Sequence, residues 1–315
     1  MGLSVVIPTF NERDALTGCL DRLAAHARDV EIIVVNGPST DGTSGVVQER
    51  DDVNVLIDIT SRNINLARNV GLREATNDKV AILAPAFRIE PSWHAAVTEC
   101  LSGAADAVSG PIRPLGNEPT DESRIGVERS GELTLVGGNL GLSRAAVTAL
   151  DGFDETLTSA GTADLARRIR GLGLQVVWHP DMTVGYTDDT AGAPPMRNRD
   201  GYVSTWERAD EPNWGQRYRS QAYRWAKNDG VGPRFAWRIV STAIQDAVGS
   251  AVGVMRGTRT PSQWVHNGLA VTRNAVRGTV EGYRARRRDP TETRNPNGLS
   301  RTGAEGAIVA VHDRR

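Results

Sequence analysis

The first 110 residues alternate between two hydrophobic periods, and that alternation leaves few folds open. Short apolar runs occupy residues 3–7, 31–35, 54–59, 79–83 and 107–109. They are rich in Val and Ile and largely lack polar alternation, the pattern of strands buried on both faces. Between them, Leu16, Leu20, Leu23 and Ala24 keep helical spacing, as do Ile64, Ala67, Val70 and Gly71. A further helix is predicted over residues 93–101. Strand and helix exchanging at such short intervals require right-handed crossovers and a mainly parallel sheet. The predicted fold class is therefore α/β.

In open α/β sheets, ligands bind beyond the carboxyl ends of the strands, so the turns there are where site residues are expected. Pro8 has no N–H and is expected to end the first strand. Asn11 suits the cap of the next helix, with Glu12 in its first turn. Asn36, Gly37, Pro38 and Ser39 form a turn after the second strand. The fourth strand runs into Ala84, Pro85 and Ala86, so a position where chemistry is expected carries three small apolar residues.

Residues 111–136 are polar and irregular, as a substrate-facing loop is. Gly137, Gly138 and Asn139 follow, then a helix over 144–150, a turn over 151–155 and a helix over 162–172 with Leu165, Ile169 and Leu172 inward. A strand at 175–178 closes on His179, which reads as an ordinary strand-end histidine. The core sheet is expected to end near 190. Three helices follow, over 218–228, 235–255 and 263–288. Trp237, Val240, Ile244, Val248, Ala251 and Met255 align on the second. Val265, Leu269, Val276, Val280 and Tyr283 align on the third, which ends in Arg284, Arg286, Arg287 and Arg288. Gln221, Arg224 and Trp225 fit a Q-x-x-R-W pattern of membrane-spanning polysaccharide synthases, but here read as a chance match on an amphipathic helix. From Asp289 the chain turns polar and Gly/Arg/Thr-rich and is expected to be disordered. The expected division is a core domain over 1–190, a helical appendage over 191–288 and a tail over 289–315.

Composition narrows the function. With 315 residues, 39% of them hydrophobic, a sizeable core can be buried. A net charge of −1 argues against a nucleic-acid partner. Cys19 and Cys100 fall inside predicted helices and read as reduced thiols, and no C-x-x-C or His/Cys cluster suggests zinc. No window of about 18 apolar residues is free of charge, so no membrane span is expected. The chain enters a strand at once, so no signal peptide is expected and the cytoplasm is the expected compartment.

Six strings, in order, resemble family 2 glycosyltransferases of the GT-A fold: SVVIPTFNE at 4–12, EIIVVNGPSTDGT at 31–43, NLARNVGLREAT at 65–76, VAILAPAFRIEP at 80–91, GGNLGLSRAAV at 137–147 and LDGFDETLTSAGTADLARRIRGLG at 150–173. The resemblance implies a nucleotide-sugar donor at the carboxyl edge of the sheet. It implies that Pro8, Phe10 and Glu12 hold the nucleoside and that Arg68 reaches the base or phosphate. The positions of Asn36, Ala84, Ala86, Gly138 and Asn139 complete the implied donor site. A guanidinium suits a diphosphate; the alternatives are an ordinary helix ion pair for Arg68 and stabilisation of a helix N-terminus for Glu12.

The departures from that pattern are concentrated on acids. Asn36 and Gly37 stand where the family has two aspartates. Ala84 and Ala86 stand where it has an aspartate pair holding Mg²⁺ or Mn²⁺, ions that need carboxylate oxygens. Phe87 replaces a further acid, and Tyr186 lies near a metal-binding histidine position. Gly161 and Thr162 replace a Glu-Asp pair that includes the catalytic base, leaving Asp164 as the candidate base, with an ion pair to Arg167 or Arg168 as its alternative. No metal site and no cofactor are expected. Arg88, Arg113, Arg144 and Arg197 are candidates for the missing positive charge. The expectation is a hexose-type glycosyltransferase of surface-glycan or protein N-glycan assembly. Its acceptor would be a glycan or a polyprenyl-phosphate-linked sugar, and the carboxyl-terminal helix faces would either meet a membrane surface or pack on protein. The alternative is an inactive relative acting as a binding partner.

Overall fold

The computed structural model describes residues 2–114, 135–158, 161–186, 197–198, 201–202, 214–235, 237–239, 241–242, 261–291, 293, 295–301 and 306–315. Four strands and three helices alternate at the start: β1 (Leu3–Thr9), α1 (Arg13–His26), β2 (Val30–Asn36), α2 (Thr43–Gln48), β3 (Val55–Ile59), α3 (Ile64–Glu74) and β4 (Lys79–Leu83). Then come β5 (Arg88–Ile89), α4 (Trp93–Ser102), β6 (Ala107–Ser109), β7 (Ile112–Pro114), β8 (Asn139–Ser143), α5 (Arg144–Leu150), α6 (Gly161–Gly171), β9 (Val176–Trp178) and β10 (Val184–Tyr186). The remainder forms β11 (Arg197–Asn198), β12 (Gly201–Tyr202), α7 (Trp214–Asn228), α8 (Pro261–Arg288) and β13 (Ile308–Asp313).

The main sheet has eight strands in the order β13-β3-β2-β1-β4-β8-β6-β9. β1 pairs in parallel with β2 and β4, and β2 in parallel with β3. Alternate residues of each strand enter opposite apolar layers. Val6, Ile33, Ile57 and Ile82 pack with α3 residues Ala67 and Val70 on one side. Val5, Ile7, Val34 and Leu83 pack with Leu16, Leu20 and Leu23 of α1 on the other. Helix α3 lies so close to β1 that a Cβ on Gly71 would sit 2.2 Å from a Val6 methyl. β5, β10 and β7 form a small second sheet.

Several elements depart from the sequence expectation. β1 does not stop at Pro8 but continues to Thr9, with Pro8 opposite Val35. β4 leaves β1 at Ile82, so beyond Val6 one side of β1 has no partner strand and a missing N–H is tolerated there. Asn11 does not cap α1. It is left-handed, with φ 51°; its side chain accepts the Thr40 N–H, and its own N–H donates to Ser39 Oγ. Strand β8 escaped the sequence reading because five residues interrupted by glycine carry no periodic signal. Gly141 is what lets it lie central, since a Cβ there would meet a Val108 methyl at 2.7 Å.

The largest correction concerns the tail. Residues 308–313 are a strand, pairing antiparallel with β3 from Ile308↔Ile59 to Asp313↔Val55. β3 would otherwise present an unpaired row of backbone groups, and the tail satisfies them. Thus the described residues from 306 to 315 are not a disordered extension. Contacts divide the chain into a first unit of 1–155, 161–208 and 297–315 and a second of 156–160 and 209–296, in place of boundaries at 190 and 288.

Within the second unit, α7 and α8 run parallel along a seam of small residues. A Cβ on Gly278 would lie 2.2 Å from the Arg219 carbonyl, and one on Gly282 would lie 2.4 Å from that of Tyr223. Ala275 and Ala285 are buried in the same seam. The helix expected over 235–255 lies mostly outside the described residues.

Two predictions follow from the tail. Deleting residues 307–315 uncovers the β3 edge, so the truncated protein is expected to melt at lower temperature and to scatter light earlier on heating. Glu31 provides the second. Burial alone would raise its carboxyl pKa, but hydrogen bonds from Ser4, Thr76 and Arg315 outweigh this and hold it below the ordinary glutamate value of 4.5. A lowered folded pKa gives stability that is present above 4.5 and lost as pH falls through the folded value. Wild type should therefore be more stable than Glu31→Gln at neutral pH, and their denaturation midpoints should converge in acid.

Candidate functional site at the carboxyl edge of the sheet

Parallel register brings Thr9, Asn36 and Asp58 side by side at the carboxyl ends of β1, β2 and β3. Asn36 Nδ2 donates to Asp58 Oδ1 at 2.9 Å and to Ser44 Oγ at 2.8 Å, and Ser44 Oγ donates to the same Asp58 oxygen at 2.6 Å. Ser39 Oγ in turn donates to Asn36 Oδ1 at 2.7 Å. Asn36 therefore has its amide spent on protein, and Asp58 supplies the charge that Asn36 lacks. An aspartate at 36 would set two carboxylates against each other. Asp41 steadies the same loop. Burial would raise its pKa, but hydrogen bonds from Thr43 and from the backbone N–H groups of Arg13 and Thr43 keep it low.

On the neighbouring loop, Pro8 and Glu12 are buried, as is Phe10, whose ring lies 4.4 Å beneath the exposed Arg62 guanidinium. Glu12 is the N-cap residue of α1 and makes no side-chain capping bond. Arg68 is buried. It donates to Asn65 Oδ1 at 3.1 Å and to the Gly137 carbonyl at 3.3 Å, and lies 4.9 Å over the Phe153 ring. Helix α3 also holds the 153–155 turn: Asn69 Nδ2 donates to the Phe153 carbonyl, and Asn63 Nδ2 donates to that of Glu155.

The β4 tip is tightly built. The Ala84 N–H donates to Gly138 O at 2.8 Å, and a Cβ on Gly138 would stand 2.6 Å from that of Ala84. Gly138 thus belongs to this edge as backbone. Asn139 does not line an open site, in contrast to the sequence expectation. It is fully buried, accepting from Trp93 Nε1 at 2.8 Å and donating to the carbonyls of Gly110 and Met182. Ala84 is buried and Ala86 half-buried. Neither has a donor oxygen, so a hard cation finds no ligands from these side chains. Among the described residues no group of three or more His, Cys, Asp or Glu is placed to hold a metal.

Asp164 is also placed differently from the base expected. It is fully buried and accepts from Arg168 Nε at 2.8 Å, while Arg168 donates onward to the Leu150 and Gly152 carbonyls. A carboxylate so enclosed holds α6 to the preceding turn and is not placed to take a proton from an acceptor hydroxyl. Of the arginines considered, Arg88 donates to Pro85 O and packs against Gly18, where burial lowers its pKa. Arg144 lies at the opposite end of β4, bound to carbonyls at Leu72, Ala75 and Asn77. Arg113, in the second sheet, keeps a buried Nε without a partner among the described residues. The side chain of Arg197 lies outside the described residues. Burial pushes the Cys19 thiol up to about 12, which makes it an inert core group. Asp58, Ser44 and Arg62 were missed by sequence reasoning, because cross-strand register is not visible in one sequence.

Residues 4–124 match the family model described as glycosyl transferase family 2. This part of the chain is similar to family 2 glycosyltransferase domains. Glycosyltransferase AglE of Haloferax volcanii is 25% identical over 118 residues, covering 35% of this chain and 39% of AglE, so the match spans well under half of that relative. Among solved structures, mannosyltransferase PcManGT from Pyrobaculum calidifontis, in complex with GDP-Man and Mn²⁺, aligns with TM-score 0.51 at 19% identity, covering 89% of this chain and 86% of that one. S. aureus TarS 1–349 in complex with UDP-GlcNAc aligns with TM-score 0.57 at 18% identity, covering 90% of each chain. The chain thus shares the GT-A fold of these structures, a mainly parallel sheet flanked by helices, and a helical region follows it.

Three substitutions test this geometry. Asp164→Asn removes one partner of a buried ion pair and should cost about 3–5 kcal/mol, seen as a lowered denaturation midpoint. A selective loss of turnover with stability unchanged would contradict the structural role. Ala86→Asp, at a half-buried position, should leave the melting temperature within a few degrees, whereas Ala84→Asp, packed against Gly138, should lower it clearly more.

Proposed function

We propose that the protein is a glycosyltransferase that moves a hexose-type sugar from a nucleotide-diphosphate donor to a glycan acceptor, soluble or carried on polyprenyl phosphate, without a divalent cation. The observation that carries this reading is the convergence of the Pro8–Glu12 loop, the 36–44 loop and Arg68 on one sheet edge whose β4 tip has no metal-ligating side chain. GDP-Man and UDP-GlcNAc, bound by the two solved structures of this fold, set the donor class to test. Phe10 offers an aromatic face and Glu12 a buried carboxylate to the nucleoside. Asp58, fixed by Asn36 and Ser44, offers an acceptor for the N–H groups of a base edge. Without a cation, the leaving diphosphate must be met by guanidinium groups. Arg62, exposed over Phe10, and Arg13, exposed at the start of α1, are cations at this edge. Surface-glycan or protein N-glycan assembly is the process proposed.

A second reading, an inactive relative that binds a transferase or glycan, is favoured by one specific observation: Asp164, the acid nearest the family's base position, is locked to Arg168. Calorimetric titration with UDP and GDP, first with manganese and then with EDTA, separates the two. Nucleotide binding that survives EDTA is expected for the transferase, and absence of binding in both conditions supports the partner. In parallel, Ala84→Asp combined with Ala86→Asp should make nucleotide binding respond to manganese if this tip faces the diphosphate.

A further inference from the structure

The second unit contains a helix face that no described part of the protein covers. The seam of α8 uses Ala275, Gly278, Gly282 and Ala285. At about 100° per residue, these lie opposite Val276, Val280 and Tyr283, which share an arc of about 60°. The large side chains are therefore the exposed ones, at 60%, 41% and 42%. Ordinary helix packing would put them in the seam and leave the small residues outside. Here the reverse holds, and backbone contact with α7 is already satisfied by the glycines.

The same half of the helix is cationic. Arg273, Arg277, Arg284, Arg287 and Arg288 are exposed, and Glu281 is the only acid between Ala275 and Arg288. Glu281 is itself occupied by Arg219 at 2.8 Å and Arg277 at 3.1 Å. The Arg287 guanidinium lies 4.8 Å over the Tyr283 ring, so the charge is held directly over the apolar strip. Aliphatic and phenolic groups beside long arginine stems are the chemistry of an interface that is apolar within and anionic at its surface. An acidic protein or a nucleic acid would use the charge and leave the Val-Val-Tyr strip in water. No described helix is long and apolar enough to cross a membrane, so such contact would be peripheral.

We propose that the exposed face of α8 docks the protein onto an anionic lipid surface, with Val276, Val280 and Tyr283 entering the headgroup boundary and the arginines meeting lipid phosphates. This goes beyond the donor reading and does not depend on it, since it concerns neither nucleotide nor catalysis.

Co-sedimentation of the full chain with vesicles of phosphatidylcholine, alone or mixed with phosphatidylglycerol, tests the proposal. Wild type should partition onto the mixed vesicles and much less onto phosphatidylcholine. Val276→Ser with Val280→Ser and Tyr283→Ser should reduce that partition by about tenfold or more. Arg273→Gln with Arg284→Gln and Arg288→Gln should reduce it comparably at low salt and less at high salt. Circular dichroism and UDP or GDP titration of each variant should match wild type. Absence of vesicle binding by wild type overturns the proposal. So does binding that depends on the arginines alone and is abolished by salt, which marks an electrostatic patch for an acidic partner. Failure of nucleotide binding with lipid partition intact would overturn the donor reading and leave this one standing.

Discussion

Parallel pairing of β1 on both sides is the constraint on which the structure depends. Because β2 and β4 bond to it in the same direction, and β3 bonds likewise to β2, helices α1, α2 and α3 must cross over the sheet, and the loops after β1, β2, β3 and β4 emerge at one edge. That edge collects residues distant in sequence: the loop after β1, the turn after β2, the end of β3 and the tip of β4. β4 releases β1 before Pro8, opening the sheet at the place where the first loop turns away. Gly71 permits α3 to press against β1, which brings Arg68 to the same edge. The geometry of the candidate site is thus a consequence of how one strand is bonded.

Charge at this edge is held in one amide–carboxylate pair. Ala84 and Ala86 bring no carboxylate to the tip of β4, and Asn36 brings an amide to the end of β2. Asn36 then becomes the clamp for Asp58 on the neighbouring strand, in register with it. An amide can bind a carboxylate, whereas a second carboxylate would repel it, so the two positions form one chemical unit. Asp164 illustrates the opposite fate. An acid that sequence order places near a reaction centre is enclosed by Arg168 and serves the fold.

Legibility in the sequence followed the strength of local patterns. β4 and β6 and the helices α3 and α5 were visible because their hydrophobic periods are strong and their limits are marked by turn residues. The family strings made the fold readable. Strand β8 was not, since five residues with a glycine carry too little signal, and its place depends on Val108 tolerating Gly141. β13 was hidden by a polar composition: an edge strand needs backbone groups for the ladder but little apolar surface. Asn139 looked like a site residue by position and is a buried amide bonded to Trp93 and two carbonyls.

The amino-acid sequence alone determined the α/β class and the alternation of strands and helices from β1 to β4. Both are carried by residues near one another along the chain. Tertiary structure decided what depends on distant partners: that Asn36 serves Asp58, that Asp164 is spent on Arg168, that the tail completes the sheet, and that α8 turns its small residues inward and Val276 and Val280 outward. Hydrophobic period records only that a helix has faces. Which face is buried is set by the surface it meets, and that surface exists only once the chain has folded.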